Sequence, residues 1–131
     1  MYEEMRLLLE NLEKSERKYD IEKLTRAYEY SAGLHDGQFR LSGEPYISHP
    51  VAVATIVASL GLDTDSICAA LLHDTIEDCD VTYSQIKDNF GEKIADGVLA
   101  VTKLKDKNIK EIFMGIIIKE GLTFDDVLLV P

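Results

Sequence analysis

The twelve residues Ile-Cys-Ala-Ala-Leu-Leu-His-Asp-Thr-Ile-Glu-Asp, at positions 67–78, decide the fold class and indicate a chemistry. Their first half is an apolar run that predicts a helix. If that helix continues to its acidic end, Glu77 lies over His73 and Asp78 over Asp74, since residues four apart share a face. A charged Asp74 beside two leucines is costly to bury unless it is paired or bound to a metal. This donor set suits Mn²⁺, Mg²⁺, Fe²⁺ or Zn²⁺, and from the pattern alone a metal site and a chance pairing remain alternatives.

The rest of the chain also predicts helices, and no pair of strands is convincing. Caps are available at Asp20, at Asp63 or Thr64, and at Thr82, where Thr82 and Gln85 form a capping-box pattern. Residues rich in glycine and proline predict a loop at 36–46. The sequence therefore predicts an all-α single domain of about six or seven short helices. The predicted helices lie at 2–18, 21–33, 51–60 with Pro50 in the first turn, 64–78, 83–91, 94–101 and 109–119.

The net charge of the chain argues against some classes of binding partner. The chain has 131 residues, with 14 Lys and Arg against 24 Asp and Glu, a net charge of −10. This argues against nucleic acid or an anionic membrane, because both favour a basic face. Between Gly61 and Glu92 there are eight acidic residues and one Lys, which indicates either a solvated surface or a cation site. A small phosphorylated ligand stays compatible, because a bound metal can supply positive charge.

Cysteines and terminal segments indicate an ordinary intracellular protein. Cys68 lies in the apolar run and is expected in the core, whereas Cys79 lies among acids. The two do not form a Cys-x-x-Cys pattern, so neither a zinc knuckle nor a disulfide scaffold is indicated. The N-terminus lacks the features of a signal peptide, and no apolar run approaches the roughly 18 residues of a membrane span. We therefore expect a cytoplasmic protein.

Two further histidines and one loop have alternative interpretations. His49 alone favours a capping or core role over a ligand role, and His35 favours a structural role or one that supports a neighbouring site. The loop from Arg40 to Tyr46 is either an ordinary surface loop or a lid that stacks on a base and reaches phosphate.

Several motifs together resemble a known family. They follow the order and spacing of the hydrolase domain of the RelA/SpoT family, a branch of the HD superfamily of metal-dependent phosphohydrolases. The motifs are Ala27-Tyr28, Gln38-Phe39-Arg40, the segment 42–50 (Ser-Gly-Glu-Pro-Tyr-Ile-Ser-His-Pro), the segment 71–78 and Val101-Thr102-Lys103-Leu104. The resemblance divides the chain into an N-terminal helix at 1–21, a hydrolase-like domain at 22–105, and an atypical helix and tail at 106–131.

The resemblance implies a metal-dependent reaction. It implies hydrolysis of the 3′-diphosphate of the alarmones ppGpp and pppGpp, with release of pyrophosphate. His49, His73 and Asp74 would bind one divalent ion, typically Mn²⁺, and Glu77 and Asp78 would orient and activate the attacking water.

In the same family the loop residues bind nucleotide. Arg40 would stack on the guanine, and Ser42 would lie near the nucleotide. Two alternatives stay open: an HD phosphohydrolase acting on another nucleotide, and a catalytically impaired or non-catalytic remnant that binds metal or nucleotide.

The C-terminal part departs from the family. The family's fourth metal ligand is an Asp in a later motif that this sequence does not contain, so we expect a site without that ligand. Asp125 and Asp126 lie in a different context and are not assigned to it. Residues 120–131 instead resemble the start of IMP dehydrogenase. Their apolar Val-Leu-Leu-Val is expected to dock either on its own domain or on another copy. Docking on another copy would give an oligomer.

Overall fold

Helices build the part of the chain that the structure describes. The computed structural model describes residues 1–103, apart from the side chains of residues 77, 78 and 100–103. Within that part there are seven helices and one isolated β-bridge, between Phe39 and Pro45, so the all-α prediction is confirmed. The helices are α1 (Glu3–Glu13), α2 (Ile21–Leu34), α3 (Ser48–Ser59), α4 (Thr64–Leu72), α5 (Thr75–Asp78), α6 (Tyr83–Phe90) and α7 (Glu92–Lys103). None of these helices has the length and apolar composition needed to cross a bilayer. The predicted helix at 109–119, Asp125, Asp126 and the tail at 120–131 lie outside the described residues.

Helix α4 forms the centre of the core. It packs against α2, α3 and α7, and its residues 67–72 are all buried. A helix that is apolar on every side is stable only when other elements surround it. Gly97 of α7 allows a close approach, because a Cβ atom there would lie 3.2 Å from the Cβ of Ala69. Cys68 is a core residue as predicted, and burial raises the pKa of its thiol to about 12.

Side-chain caps fix where the helices begin. Asp20 and Asp63 each accept a hydrogen bond from the backbone N–H three residues further on, at 3.0 and 2.9 Å. Asp63, and not Thr64, therefore caps α4. The capping box of Thr82 and Gln85 forms at the start of α6 as predicted. These contacts satisfy N–H groups that have no partner inside the helix.

Several helix bounds differ from the sequence prediction, and α3 begins at Ser48 rather than at residue 51. Helix α1 ends at Glu13 rather than at residue 18, because Leu12 is the last of its buried apolar residues. Helix α7 begins at Glu92, before Ile94. Gly91 ends α6 with a φ of 97°, and its carbonyl accepts the first helical hydrogen bond of α7.

The predicted continuous helix through Asp78 is wrong. Helix α4 ends at Leu72, and α5 is a separate turn. The Oγ1 of Thr75 donates to the carbonyl of Leu72 at 2.8 Å, and the Nδ1 of His73 lies 2.6 Å from the carbonyl oxygen of Ala70. These two side chains bond carbonyls in the last turn of α4, where the regular backbone bonding of the helix ends.

Two acidic residues of the segment 61–92 form salt bridges with lysines of other helices. The Nζ of Lys93 lies 3.0 Å from Asp63, and the Nζ of Lys23 lies 2.9 Å from Asp65. Burial alone would raise the pKa of Asp63, but hydrogen bonds from Ser66 and Lys93 outweigh it and lower that pKa to about 2. These acids therefore link the start of α4 to α2 and α7, as caps and surface pairs.

Candidate metal centre

His49, His73 and Asp74 bring their side chains together where α3, α4 and α5 meet. His49 lies in the first turn of α3, and the other two residues connect α4 to α5. The Nε2 of His73 lies 3.2 Å from the Nε2 of His49 and 3.2 Å from the Oδ2 of Asp74. The Nε2 of His49 lies 3.6 Å from the same oxygen. The side chains of His73 and Asp74 are only 2% and 4% exposed, so the three donor atoms converge in a largely dry place.

One backbone contact fixes how His73 presents its ring. The Nδ1 of His73 lies 2.6 Å from the carbonyl oxygen of Ala70, which can only accept a hydrogen bond. The hydrogen of a neutral ring is therefore on Nδ1, and the lone pair is on Nε2, facing His49 and Asp74. Fixing a ligating histidine through its second nitrogen is a common feature of metal sites.

The donor set fits a divalent cation. The three ligand atoms lie within 4.8 Å of one another. Ligand atoms that sit at roughly 2.1 Å from one ion and at right angles are about 3 Å apart, close to the observed 3.2 to 3.6 Å. Two imidazole nitrogens and one carboxylate oxygen suit borderline divalent ions such as Mn²⁺, Fe²⁺ or Zn²⁺. Buried acceptors that face one another are stabilised by a positive charge between them.

Tyr46 connects the loop to this cluster. Its hydroxyl donates to the Oδ2 of Asp74 at 2.8 Å, and its ring packs against the ring of His35 with centroids 4.6 Å apart. The sequence placed Tyr46 in a loop that was either an ordinary surface loop or a lid, and it did not predict the bond to Asp74, because 28 residues separate the partners. The one sequence feature that could have indicated this bond is a tyrosine three residues before His49, just ahead of α3.

His35 packs against the ring of Tyr46. It is buried, and its Nδ1 lies 3.2 Å from the Oε1 of Gln38 and 3.5 Å from the Sγ of Cys79. This placement agrees with the supporting role expected for His35.

The loop between α2 and α3 lines an open pocket that reaches Tyr46. The cavity has a volume of about 640 Å³, and its lining residues are Phe39, Arg40, Leu41, Ser42, Glu44 and Tyr46. Arg40 and Ser42, the predicted nucleotide-binding residues, therefore share one pocket. Two large apolar side chains were not predicted there: Phe39 is 66% exposed, and Leu41 is fully exposed. Since Tyr46 lines the pocket and also bonds Asp74, the pocket adjoins the candidate metal centre.

Glu77 and Asp78 are placed only by their backbone. They form the second half of α5, which begins directly after Asp74. Their side chains lie outside the described part of the structure, so their catalytic role stays a prediction.

Comparison with known proteins identifies the family. A model of the HD domain family matches residues 27–112, more than half of the chain. The chain belongs to the HD-domain family. The match contains all three residues of the candidate metal centre.

Curated relatives of this HD domain share about half of its residues. A guanosine-3′,5′-bis(diphosphate) 3′-pyrophosphohydrolase of Aquifex aeolicus is 50% identical over 99 residues, which cover 74% of this chain and 14% of the relative. A protein of the same name from Vibrio cholerae is 51% identical over 94 residues, covering 70% of this chain and 13% of the relative. The HD domain thus spans about one seventh of the length of these relatives.

A solved structure shares the fold. It is described as a metazoan ortholog of SpoT that hydrolyzes ppGpp and plays a role in starvation responses. It superposes with a TM-score of 0.61 at 28% identity, over 79% of this chain and 62% of the other.

Proposed function

We propose that this HD domain is a metal-dependent hydrolase that removes pyrophosphate from the 3′ position of guanosine 3′,5′-bis(diphosphate). The observation that carries the proposal is the convergence of His49, His73 and Asp74 beside the Arg40 pocket. The names of the relatives support the choice of substrate.

In this proposal His49, His73 and Asp74 hold one Mn²⁺ ion. The described side chains would supply three ligand atoms to such an ion. A bound divalent ion supplies positive charge that offsets the phosphate groups and makes water more acidic. This explains how a chain with a net charge of −10 accepts a highly anionic substrate.

Glu77 and Asp78 act on water in the proposed reaction. They orient the water molecule and accept a proton from it as a general base. The water oxygen forms a bond to the phosphorus next to the 3′ oxygen, and the bond between that phosphorus and the 3′ oxygen breaks. The proton taken up by the carboxylate passes to the 3′ oxygen, which restores the ionised carboxylate, and the other water proton leaves with the pyrophosphate or to solvent. The products are pyrophosphate and guanosine 5′-diphosphate.

The pocket residues hold the nucleoside. Arg40 stacks its guanidinium on the guanine, and Ser42 contacts the nucleotide from the same loop. The exposed side chains of Phe39 and Leu41 flank Arg40 and offer apolar contact to a base. The hydrogen bond from Tyr46, which lines the pocket, to Asp74 supports an arrangement in which base and 3′-diphosphate are held together.

Pyrophosphate release from ppGpp with added Mn²⁺ tests the proposal. We expect turnover by the wild-type protein and a loss of at least about 100-fold in Glu77→Ala, the range of a general base. His73→Ala removes a ligand of the proposed ion and should lose turnover to at least the same extent. Asp88→Ala, an exposed acid on α6, is the matched control and should retain turnover. Ion binding without turnover on ppGpp would contradict hydrolysis and favour a non-catalytic binding domain. Turnover only on another nucleotide would contradict the substrate.

A further inference from the structure

We infer that Tyr46 is a positioning residue for the metal centre, acting through Asp74. The inference rests on the proposed function only in requiring that His49, His73 and Asp74 bind a divalent ion. In this inference Tyr46 holds the Oδ2 of Asp74 in position beside the Nε2 atoms of His49 and His73.

The hydroxyl of Tyr46 bonds the carboxylate oxygen of Asp74 that faces both histidines. It donates to the Oδ2 of Asp74 at 2.8 Å, and this is the same oxygen that lies 3.2 Å from His73 Nε2 and 3.6 Å from His49 Nε2. An ionised carboxylate oxygen has two lone-pair sites. It can therefore accept the hydroxyl on one side and bind an ion on the other. A ligating carboxylate that is itself hydrogen-bonded keeps its orientation, which favours metal binding.

Tyr46 also holds the second ligand through its backbone. Its carbonyl oxygen accepts a hydrogen bond from the N–H of His49 at 3.0 Å. One residue thus contacts two ligands that are 25 positions apart in the chain, His49 by its main chain and Asp74 by its side chain.

The tyrosine itself is held in place. Its N–H donates to the carbonyl of Gln38 at 2.9 Å, and its ring lies against the buried ring of His35. The His35 ring is held in turn by contacts of its Nδ1 with Gln38 and Cys79. A donor whose own position is fixed loses little entropy when it forms its bond, so the bond restricts Asp74 effectively.

Removal of the hydroxyl alone tests the inference. Tyr46→Phe keeps the ring and the backbone bond, and we expect its dissociation constant for Mn²⁺, measured by calorimetry, to rise about 10- to 100-fold. Tyr83→Phe is the matched control. It also loses a tyrosine bond to a carboxylate, that of Asp96, but on α6 and α7 and away from the metal centre, and its Mn²⁺ affinity should stay within about two-fold.

A spectroscopic readout separates positioning from general destabilisation. With Co²⁺ as the probe, the visible absorption spectrum of Tyr46→Phe should differ from that of the wild-type protein, while the spectrum of Tyr83→Phe should not. Wild-type affinity and an unchanged spectrum in Tyr46→Phe would overturn the inference and leave the proposed function standing. Failure of the wild-type protein to bind Mn²⁺ or Co²⁺ would overturn both.

Discussion

The Oδ2 of Asp74 lies 3.2 Å from the Nε2 of His73, although the two residues are neighbours in the chain. In a continuous helix of 3.6 residues per turn, adjacent side chains point about 100° apart and do not face each other. They meet here in the two-residue connection between the end of α4 at Leu72 and the start of α5 at Thr75. The break between the helices is therefore part of how the candidate metal centre is assembled.

Thr75→Val tests the contribution of this break. Thr75 is fully buried, and its hydroxyl donates to the carbonyl of Leu72 at 2.8 Å. The nearly isosteric change leaves a buried carbonyl without that donor, so we expect the free energy of unfolding to fall by about 1–3 kcal/mol. Mn²⁺ affinity should fall as well. Chemical denaturation and calorimetry measure the two effects.

Thr55→Val provides the control for this change. The hydroxyl of Thr55 also donates to a backbone carbonyl at 2.8 Å, that of Val51, but Thr55 is exposed on α3. Its replacement should change stability by at most about 0.5 kcal/mol and leave ion affinity unchanged. Equal effects of the two changes would contradict a special role for the break.

Arg40→Ala tests the nucleotide pocket separately from the metal centre. Loss of the stacking guanidinium should raise the dissociation constant for a guanine nucleotide about 5- to 30-fold, from the roughly 1–2 kcal/mol of such a contact. Mn²⁺ affinity should not change, because Arg40 is not a ligand. Arg6→Ala, which removes an exposed arginine of α1, should leave nucleotide binding intact. Unchanged nucleotide affinity in Arg40→Ala would remove Arg40 from the site.

Asp63 predicts a specific dependence of stability on pH. Its pKa is about 2 in the folded protein, below the ordinary value of 3.8. A lowered folded pKa means that ionised Asp63 stabilises the fold above about pH 4 and that this contribution is lost as pH falls toward 2. Because the side chain is 38% exposed, solvent screening limits the contribution to about 1 kcal/mol.

Asp63→Asn measures this contribution, since asparagine keeps the capping oxygen and removes the charge. The variant should be less stable than the wild-type protein at pH 7, and the difference should shrink between pH 4 and pH 2 in denaturation curves. Asp88→Asn, at an exposed position of α6, should show no such difference. A difference for Asp63→Asn that persists unchanged to pH 2 would contradict the lowered pKa.

Local features of the fold were predictable from the sequence. The capping box at Thr82 and the caps at Asp20 and Asp63 involve residues three apart, so their pattern is visible in the chain. The break after Leu72 was not predicted. The sequence after Leu72 remains compatible with a helix. The local features at this point are side-chain bonds from Thr75 to the carbonyl of Leu72 and from His73 to the carbonyl of Ala70.

The candidate site was predictable only in part. Residue types and neighbours suggested His73 and Asp74, whereas His49 entered through resemblance to a family, because α3 must first pack on α4. The bond from Tyr46 to Asp74 depends on the same packing and has no periodic signature. Contacts between distant segments follow from tertiary structure, so a single sequence does not reveal them by spacing.

Mn²⁺ titration of the metal-free protein measures directly whether His49, His73 and Asp74 form one ion-binding centre. Calorimetry should show one site per chain in the wild-type protein and in Asp88→Asn. His49→Ala, His73→Ala and Asp74→Asn should each weaken binding at least about 10-fold. Equal Mn²⁺ affinity in the wild-type protein and in all three ligand variants, or no binding by the wild-type protein at millimolar Mn²⁺, would show that these residues do not form an ion-binding centre.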